Sequence, residues 1–543
     1  MDPRHVSGQP VQIVKINDDP DDHSFFLDEA ALNRILLQDN GALKDKPLCI
    51  VSVAGAFRRG KSFLLDFLLR YLCAADRHHW LGPEDSPLEG FHWRGGSERD
   101  TTGILMWSKI FLIPTGPPGS PEVAVVLMDT QGAFDTSSTV RDCATIFALS
   151  AMLSSVLVYN LTANIQEDDL QHLELFTEYG RLAIEDSGET PFQKLQFLVR
   201  DWSYPYEAQY GAEGGRNLVQ RRLELSDKQH SELQDLRKNI RSCFSSIEGF
   251  LLPHPGLKVA TDPGFEGRLK DIEPMFIQHL QDFVPLLLAP ENIVIKKING
   301  NVVKCKELVQ FFRAYIEIFK GDEMPEPKSM LKATSEANNL ASLQEAKETY
   351  VAMMESICGG DKPYLNEQVL DIEHCRIKDQ AVLVFSSRRK MGGEEFSLTY
   401  REKLEREIDE SYANYKAHNE SKNIFKAANT PITLAAVAML LYILSQFFTL
   451  LGITPVSGIF NLALTGTFLL LATWCYVKYT GNATDIGSNI DHLAATIWDS
   501  GIQPVFSRLA QEGSQFATKK ALERMNSQAP SPQMSPAMSK KRS

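Results

Sequence analysis

The stretch Gly55-Ala56-Phe57-Arg58-Arg59-Gly60-Lys61-Ser62 constrains this chain more than any other. It follows the apolar run 48–54 and precedes the helical run 63–72. A Gly-x-x-x-x-Gly-Lys-Ser/Thr loop between a strand and a helix is a phosphate cradle: its glycines let backbone N–H groups close round phosphate oxygens. The N-terminus of the following helix adds partial positive charge. Lys61 is placed to reach the β- and γ-phosphates, and the Ser62 hydroxyl to ligate Mg²⁺. The motif therefore commits the N-terminal part of the chain to a strand–loop–helix unit of an α/β domain.

The surrounding pattern extends that unit. Short apolar runs at 48–54, 108–113, 123–128, 154–160, 195–199 and 250–252 alternate with helical stretches up to about residue 320. Strands alternating with helices predict an α/β domain with a mostly parallel sheet. Residues 1–45 read as a polar lead-in with a small apolar patch. The run 123–128 ends in Asp129-Thr130-Gln131-Gly132. An Asp at the C-terminal end of such a strand can hold Mg²⁺, and Gly132 can approach the γ-phosphate. Between the two motifs lies the polar segment Arg94-Gly95-Gly96-Ser97-Glu98-Arg99-Asp100-Thr101-Thr102-Gly103. A Thr there, assigned as Thr102, is expected to close on the metal and on an attacking water.

Base recognition and catalysis leave gaps. No Asn-Lys-x-Asp tetrad follows the later strand; the run 195–199 ends in Arg200-Asp201 instead. Asp201 is the candidate for reading guanine, with Arg200 stacking or packing on the base. The position after Gly132, where Ras carries a water-positioning Gln, is Ala133. The stabilising positive charge is then expected from Arg58 or Arg59 in the cradle itself, in the manner of an arginine finger.

Past residue 320 the period changes. The segment 321–328 is acidic and proline-containing and reads as a stiff linker. Leu340, Leu343, Tyr350, Met354 and Ile357 share one helical face, and Phe396, Tyr400, Leu404, Ile408 and Tyr412 another. With a helical stretch between them and Gly-Gly pairs as stops, 329–422 is expected to be a three-helix bundle.

Two runs, 432–451 and 456–477, carry no charge and are each about the ~20 residues needed to cross a bilayer. They predict a two-helix membrane hairpin over 431–477. Lys422, Lys426 and Lys478 flank its outer ends and favour both ends in the cytosol. The short link leaves open whether the hairpin crosses fully. After it, over 478–526, Ile486, Ile490, Leu493 and Ile497 line a helix that also carries Asp485, Asp491 and Asp499. Such a helix fits either the bilayer surface or a packed protein face. The segment 527–543 is rich in Ser, Pro, Met and Lys and is expected to be unstructured.

Composition narrows the partners. The net charge of −13 argues against nucleic acid, which wants a basic surface. The eight cysteines form no CxxC or metal-ligand spacing and read as reduced, mostly buried thiols. The N-terminus lacks an apolar leader.

Taken with Pro253-His254-Pro255-Gly256-Leu257-Lys258-Val259-Ala260-Thr261, these motifs resemble the atlastins, dynamin-superfamily GTPases of the endoplasmic reticulum, from about residue 20 to residue 500. The resemblance implies a GTPase domain over 1–320, then the bundle, the hairpin and the amphipathic tail. It implies GTP and GDP as ligands, with Arg58, Arg59, Gly60, Lys61, Ser62, Phe63, Gln131, Arg200, Asp201, Val259 and Asp262 around the nucleotide. Arg58 would be the catalytic arginine, acting with Thr102, and Ser62, Thr102 and Asp129 would hold Mg²⁺. Asp262 stands where some relatives carry Asn, and Arg59 where Lys is frequent. The resemblance further implies homodimers formed in trans through the GTPase domain and bundle, a lipid bilayer as partner, fusion of endoplasmic reticulum tubules, and contact with other proteins that shape that membrane. Two other readings stand beside it. A guanylate-binding-protein-like enzyme shares the loop arginine and the Arg-Asp pair but has a long helical tail in place of a hairpin. A purely structural hairpin protein would have no reason to keep Lys61, Ser62, Thr102 and Asp129.

Overall fold

In the computed structural model the described residues are 8–17, 24–38, 41–93, 101–116, 119–132, 139–320, 324–422, 424–480, 484–498 and 500. Two compact units are present: residues 1–353 with 374–410, and residues 354–373 with 411–543.

In chain order the first unit opens with β1 (Pro10–Ile16), β2 (Phe25–Leu27), α1 (Glu29–Leu36), β3 (Leu48–Gly55) and α2 (Lys61–Cys73). Then come β4 (Ile104–Trp107), β5 (Phe111–Pro114), β6 (Glu122–Thr130), α3 (Val140–Leu153) and β7 (Val156–Thr162). The chain continues through α4 (Glu167–Gln171), α5 (Glu174–Ser187), β8 (Phe192–Arg200), α6 (Ala212–Leu223), α7 (Ser231–Cys243) and β9 (Phe244–Leu251). It closes with α8 (Leu257–Thr261), α9 (Pro274–Leu288), the short ribbon β10 (Lys297–Ile298) and β11 (Asn301–Val302), and α10 (Cys305–Phe319).

The main sheet runs β2-β1-β4-β6-β3-β7-β8-β9, with β5 also paired to β6. The five strands β6, β3, β7, β8 and β9 are mutually parallel, and the pairings of β4, β1 and β2 are antiparallel. Parallel strands buried on both faces read as continuous apolar runs, which is why they are legible in the sequence. Alternation along them fills two cores. Leu48, Ile50 and Ala54 of β3 join Ala124, Val126 and Met128 of β6 against α3, α5 and α10. Cys49, Val51 and Val53 join Val123, Val125 and Leu127 against α2 and α9.

Three expectations are corrected. Residues 1–45 are more than a polar lead-in: β1 pairs with β4, and Ile13 and Val14 are fully buried. The expected strand at 108–113 begins later, as β5 at Phe111, with β4 ending before it at Trp107. Residues 108–110 separate the two, and Ser108 bonds to Gln9 through both its backbone and its hydroxyl. The linker is shorter than 321–328, because α11 (Pro327–Cys358) starts with Pro at its first position, where the missing N–H is not needed. Residues 321–323 lie outside the described residues.

Three long helices follow as predicted: α11, α12 (Glu367–Ser387) and α13 (Gly393–Ser421). Within the first unit, Lys347 pairs with Glu407 and the Tyr350 hydroxyl meets His374 Nδ1 at 2.9 Å. Within the second, Asn419 exchanges two hydrogen bonds with the backbone of Leu365. The two apolar runs become α14 (Ile424–Leu450) and α15 (Thr454–Thr480). Both helices exceed the predicted bounds, and Pro431 lies inside α14. Both are long and apolar enough to cross a membrane. Met439, Leu440, Ile443, Leu462 and Leu469 stay more than half exposed, unlike the core of a soluble domain. The last described helix, α16 (Thr484–Ile497), packs on this pair through Ile490 and Ala494, while Ile486 and Leu493 remain about half exposed. Its Asp491 accepts from Thr430 Oγ1 and Trp474 Nε1, both at 2.6 Å, and pairs with Lys478. The expected tail beyond 500 and the segment 527–543 lie outside the described residues.

Candidate functional site: a phosphate cleft at the strand ends

The carboxyl ends of β3, β6 and β8 open into a cleft of about 350 Å³. Ligands of open α/β sheets bind in this position. The loop from β3 to α2 forms one wall, and Lys61 and Ser62 occupy the first turn of α2. Gly60 sits just before it with φ +67°. Lys61 is buried, its ammonium donating to the Ala56 carbonyl at 3.1 Å. Gly132 completes the wall: a Cβ there would fall 2.4 Å from the Phe57 Cα.

Three oxygen-bearing side chains converge beside Lys61. The Ser62 hydroxyl donates to Asp129 Oδ2 at 2.6 Å, and the Thr101 hydroxyl donates to the same oxygen at 3.3 Å. The two hydroxyls are 3.4 Å apart. Asp129 is fully buried, and its Oδ1 has no hydrogen-bond partner among the described residues. Burial raises the Asp129 pKa, and the Lys61 charge opposes that rise. A hard cation prefers such a hydroxyl and carboxylate set, and the orphaned Oδ1 fits that use. Among the described residues no cluster of three His, Cys, Asp or Glu exists.

Thr102, expected at the metal, faces elsewhere. Its hydroxyl and its carbonyl both accept from Gln12 Nε2 on β1, at 2.9 and 3.0 Å. Thr101 is the threonine whose hydroxyl reaches Asp129 and Ser62. The segment 94–100 lies outside the described residues.

The remaining candidates divide. Arg58 lines the cleft, with φ +59° and its guanidinium 5.9 Å from the Phe57 ring. Arg59 also lines it and is exposed. Phe63 borders the cleft from an aromatic cluster with Phe67, Trp93 and Phe265. Asp201 (φ +56°) and Val259 line the far end. Arg200 is buried and turns toward the loop, donating to the carbonyls of Arg59 at 2.8 Å and Gly60 at 3.2 Å. These bonds brace the loop, and Arg200 also lines the cleft. Gln131 also points away: its Oε1 accepts from the Gly103 amide at 2.8 Å, tying the two motif loops together. Asp262 caps α8, accepts from the Gly264 amide and does not line the cleft.

Sequence reasoning missed Thr101, Trp93, His254 and Pro255 as lining residues, and Asn160, whose amide donates to the Arg59 carbonyl at 2.8 Å. Asn160 carries no motif; only its place at the end of β7, beside the loop, gives it a role. A larger cavity of about 460 Å³ lies beyond Gly55 and Ala56. Asp169, Glu174 and Glu178 border it, a lining that repels phosphate.

Residues 22–297 match the family described as guanylate-binding protein, N-terminal domain. Over a longer span the chain is 54% identical to Atlastin of Drosophila melanogaster, across 522 residues that cover 95% of each protein. The chain belongs to the atlastin family. Atlastin-2 of Homo sapiens is 54% identical over 503 residues, covering 93% of this chain and 85% of the relative. Atlastin-1 of Bos taurus is 54% identical over 492 residues, covering 91% and 87%. In atlastin terms the cleft is that of a GTPase domain, followed by a helical region and two apolar helices near the C-terminus. The family match also decides against the rival with a long helical tail, since these relatives cover the hairpin region as well as the domain.

Proposed function

We propose that this chain is a membrane-anchored enzyme that hydrolyses GTP to GDP and phosphate, and that its cycle joins endoplasmic reticulum membranes. The observation that carries the reading is the convergence of Lys61, Ser62, Thr101 and Asp129 in one cleft whose mouth holds Arg58. It occurs in a chain that also bears two long, largely exposed apolar helices.

The N-terminus of α2 and Lys61 bind the β- and γ-phosphates. Ser62, Thr101 and Asp129 would hold Mg²⁺, which supplies charge neutralisation at the phosphate oxygens. Asp201 reads the guanine edge, with Val259 covering the base. Water attacks the γ-phosphorus, the bond to the GDP oxygen breaks, and the water's proton passes to the released phosphate. Arg58 neutralises the charge that develops on the leaving oxygen, a contribution of about 10³–10⁵ in rate for an arginine finger.

The apolar helices anchor the enzyme as a hairpin with both ends in the cytosol, consistent with Lys422 and Lys478 at its flanks. Two copies on apposed membranes pair through their GTPase domains and helical bundles, and the membranes fuse homotypically. Partner proteins that shape the same membrane fit this setting; nucleic acid does not.

Lipid mixing between two vesicle populations carrying full-length protein tests this directly. Mixing with GTP, and none with a non-hydrolysable analogue or without nucleotide, is the expected result. Turnover without mixing would remove fusion and leave a tethering or membrane-shaping GTPase. Absence of turnover would leave the structural hairpin protein as the surviving reading.

A further inference from the structure

Arg58 holds a backbone conformation that side chains other than glycine rarely adopt, with φ +59°. Such a turn persists when its surroundings over-determine it. The restraints come from outside the loop. The carbonyl of Arg59, the next residue, accepts from Arg200 Nη1 and from Asn160 Nδ2, each at 2.8 Å. The Gly60 carbonyl accepts from the same Arg200 nitrogen at 3.2 Å. Arg200 and Asn160 are 7% and 0% exposed, so both donors are held inside the fold.

The fit on the other side is equally close. A Cβ on Gly60 would stand 2.2 Å from Arg200 Nη1, so the guanidinium lies directly against the loop backbone. Its carbon is 5.8 Å from the centre of the Phe276 ring. Burial lowers the Arg200 pKa, with neighbouring Asp201 opposing that effect. The guanidinium is thus committed to loop carbonyls and an aromatic face, while the following residue, Asp201, lines the cleft in a left-handed turn of its own.

We infer that Arg200 is a positioning residue for catalysis by Arg58: it holds the arginine-bearing turn through the Arg59 and Gly60 carbonyls and ties that turn to Asp201. The inference rests on the proposed GTP hydrolysis by this cleft. It makes the Arg-Asp pair a bridge. Asp201 meets one end of the nucleotide, and Arg200 fixes the loop that carries the catalytic charge at the other. Asn160 supports the same carbonyl from β7 without bordering the cleft.

The test uses full-length protein in detergent, with Arg200→Met, Arg200→Lys and Asn160→Ala made singly, and Arg200→Met also combined with Arg58→Ala. The readouts are kcat and KM for GTP, affinity for a fluorescent GDP analogue, and melting temperature. Arg200→Met is expected to lower kcat by about tenfold or more, with GDP affinity held within about threefold. In the Arg58→Ala background it is expected to add no further loss, because residues acting as one unit are not additive. Arg200→Lys should restore part of the rate, since an ammonium can reach one carbonyl. Asn160→Ala should lower kcat in the same direction by a smaller factor, which serves should Arg200→Met fail to fold. Additive losses, or weaker GDP binding at unchanged kcat, would overturn the inference. Unchanged turnover in Arg58→Ala alone would instead sink the catalytic reading on which it rests.

Discussion

The Ser62 hydroxyl and the Asp129 carboxylate lie 2.6 Å apart, Ser62 donating from the first turn of α2 to the end of β6. The contact brings together the two motifs, and it leaves Asp129 Oδ1 buried without a partner among the described residues. Asp129→Asn keeps the shape and removes the charge. Turnover should fall on the order of 100-fold, the scale for losing one electrostatic stabiliser. The dependence of GTP binding on Mg²⁺ should weaken in parallel. Nucleotide binding that responds to Mg²⁺ as before would remove Asp129 from the metal site.

Arg388, just past the end of α12, links α10 and α11 in the first unit. Its Nη1 donates to Glu307 at 2.6 Å and to Glu345 at 3.0 Å, and the Glu307 side chain is only 3% exposed. Arg388→Ala strands a buried carboxylate, which costs about 3 kcal/mol or more when one partner of a buried pair is removed. Thermal unfolding should shift down by several degrees, and the double change with Glu307→Gln should recover part of it. Equal melting of wild type and Arg388→Ala would show the pair to be dispensable.

Lys296 is fully buried, donating to the carbonyls of Met152 at 2.7 Å and Ser154 at 2.9 Å. Burial pushes its pKa down to about 7. An unfolded lysine titrates near ~10.4, so between these values the unfolded chain holds a proton that the folded chain has released. Stability from this group therefore rises with pH across that window and is lowest at its acid end. Lys296→Met should flatten the dependence of melting temperature on pH between about 7 and 10. Parallel profiles for the two proteins would show that Lys296 stays charged in the fold.

Asp491 gathers Thr430, Trp474 and Lys478 at the base of the apolar helix pair. Asp491→Ala should loosen α16 from α14 and α15, seen as earlier proteolysis within 484–497 in vesicles. Asp491→Asn, which can still accept from Thr430 and Trp474, should be intermediate. Unchanged cleavage in both would place the hold on α16 in Ile490 and Ala494 alone.

Much of this was legible because the signals are local. The β3–loop–α2 unit, the strand into Asp129 and the two apolar helices each lie within one contiguous stretch, and burial on both faces makes the central strands continuous apolar runs. The edge of the sheet was not legible. β1 is short, begins with Pro10, and finds its partner about ninety residues later in β4, a pairing that no local pattern encodes.

That missed strand also explains the misplaced threonine. Adjacent residues in extended chain point to opposite sides, so composition cannot say which of Thr101 and Thr102 meets Asp129. The choice is made by Gln12, which takes the Thr102 hydroxyl, and by Gly103, whose φ of +63° lets it pass where a Cβ would stand 2.0 Å from the Val14 carbonyl. The same holds at Arg200 and Asp201, neighbours that both line the cleft but of which only Arg200 bonds to the loop carbonyls. The sequence by itself determined the phosphate cradle, the parallel core and the apolar helix pair, since periodicity and short-range steric rules act within a single element. Only the tertiary structure decided which side chains face the nucleotide cleft, because that phase is set by hydrogen bonds to elements far away along the chain.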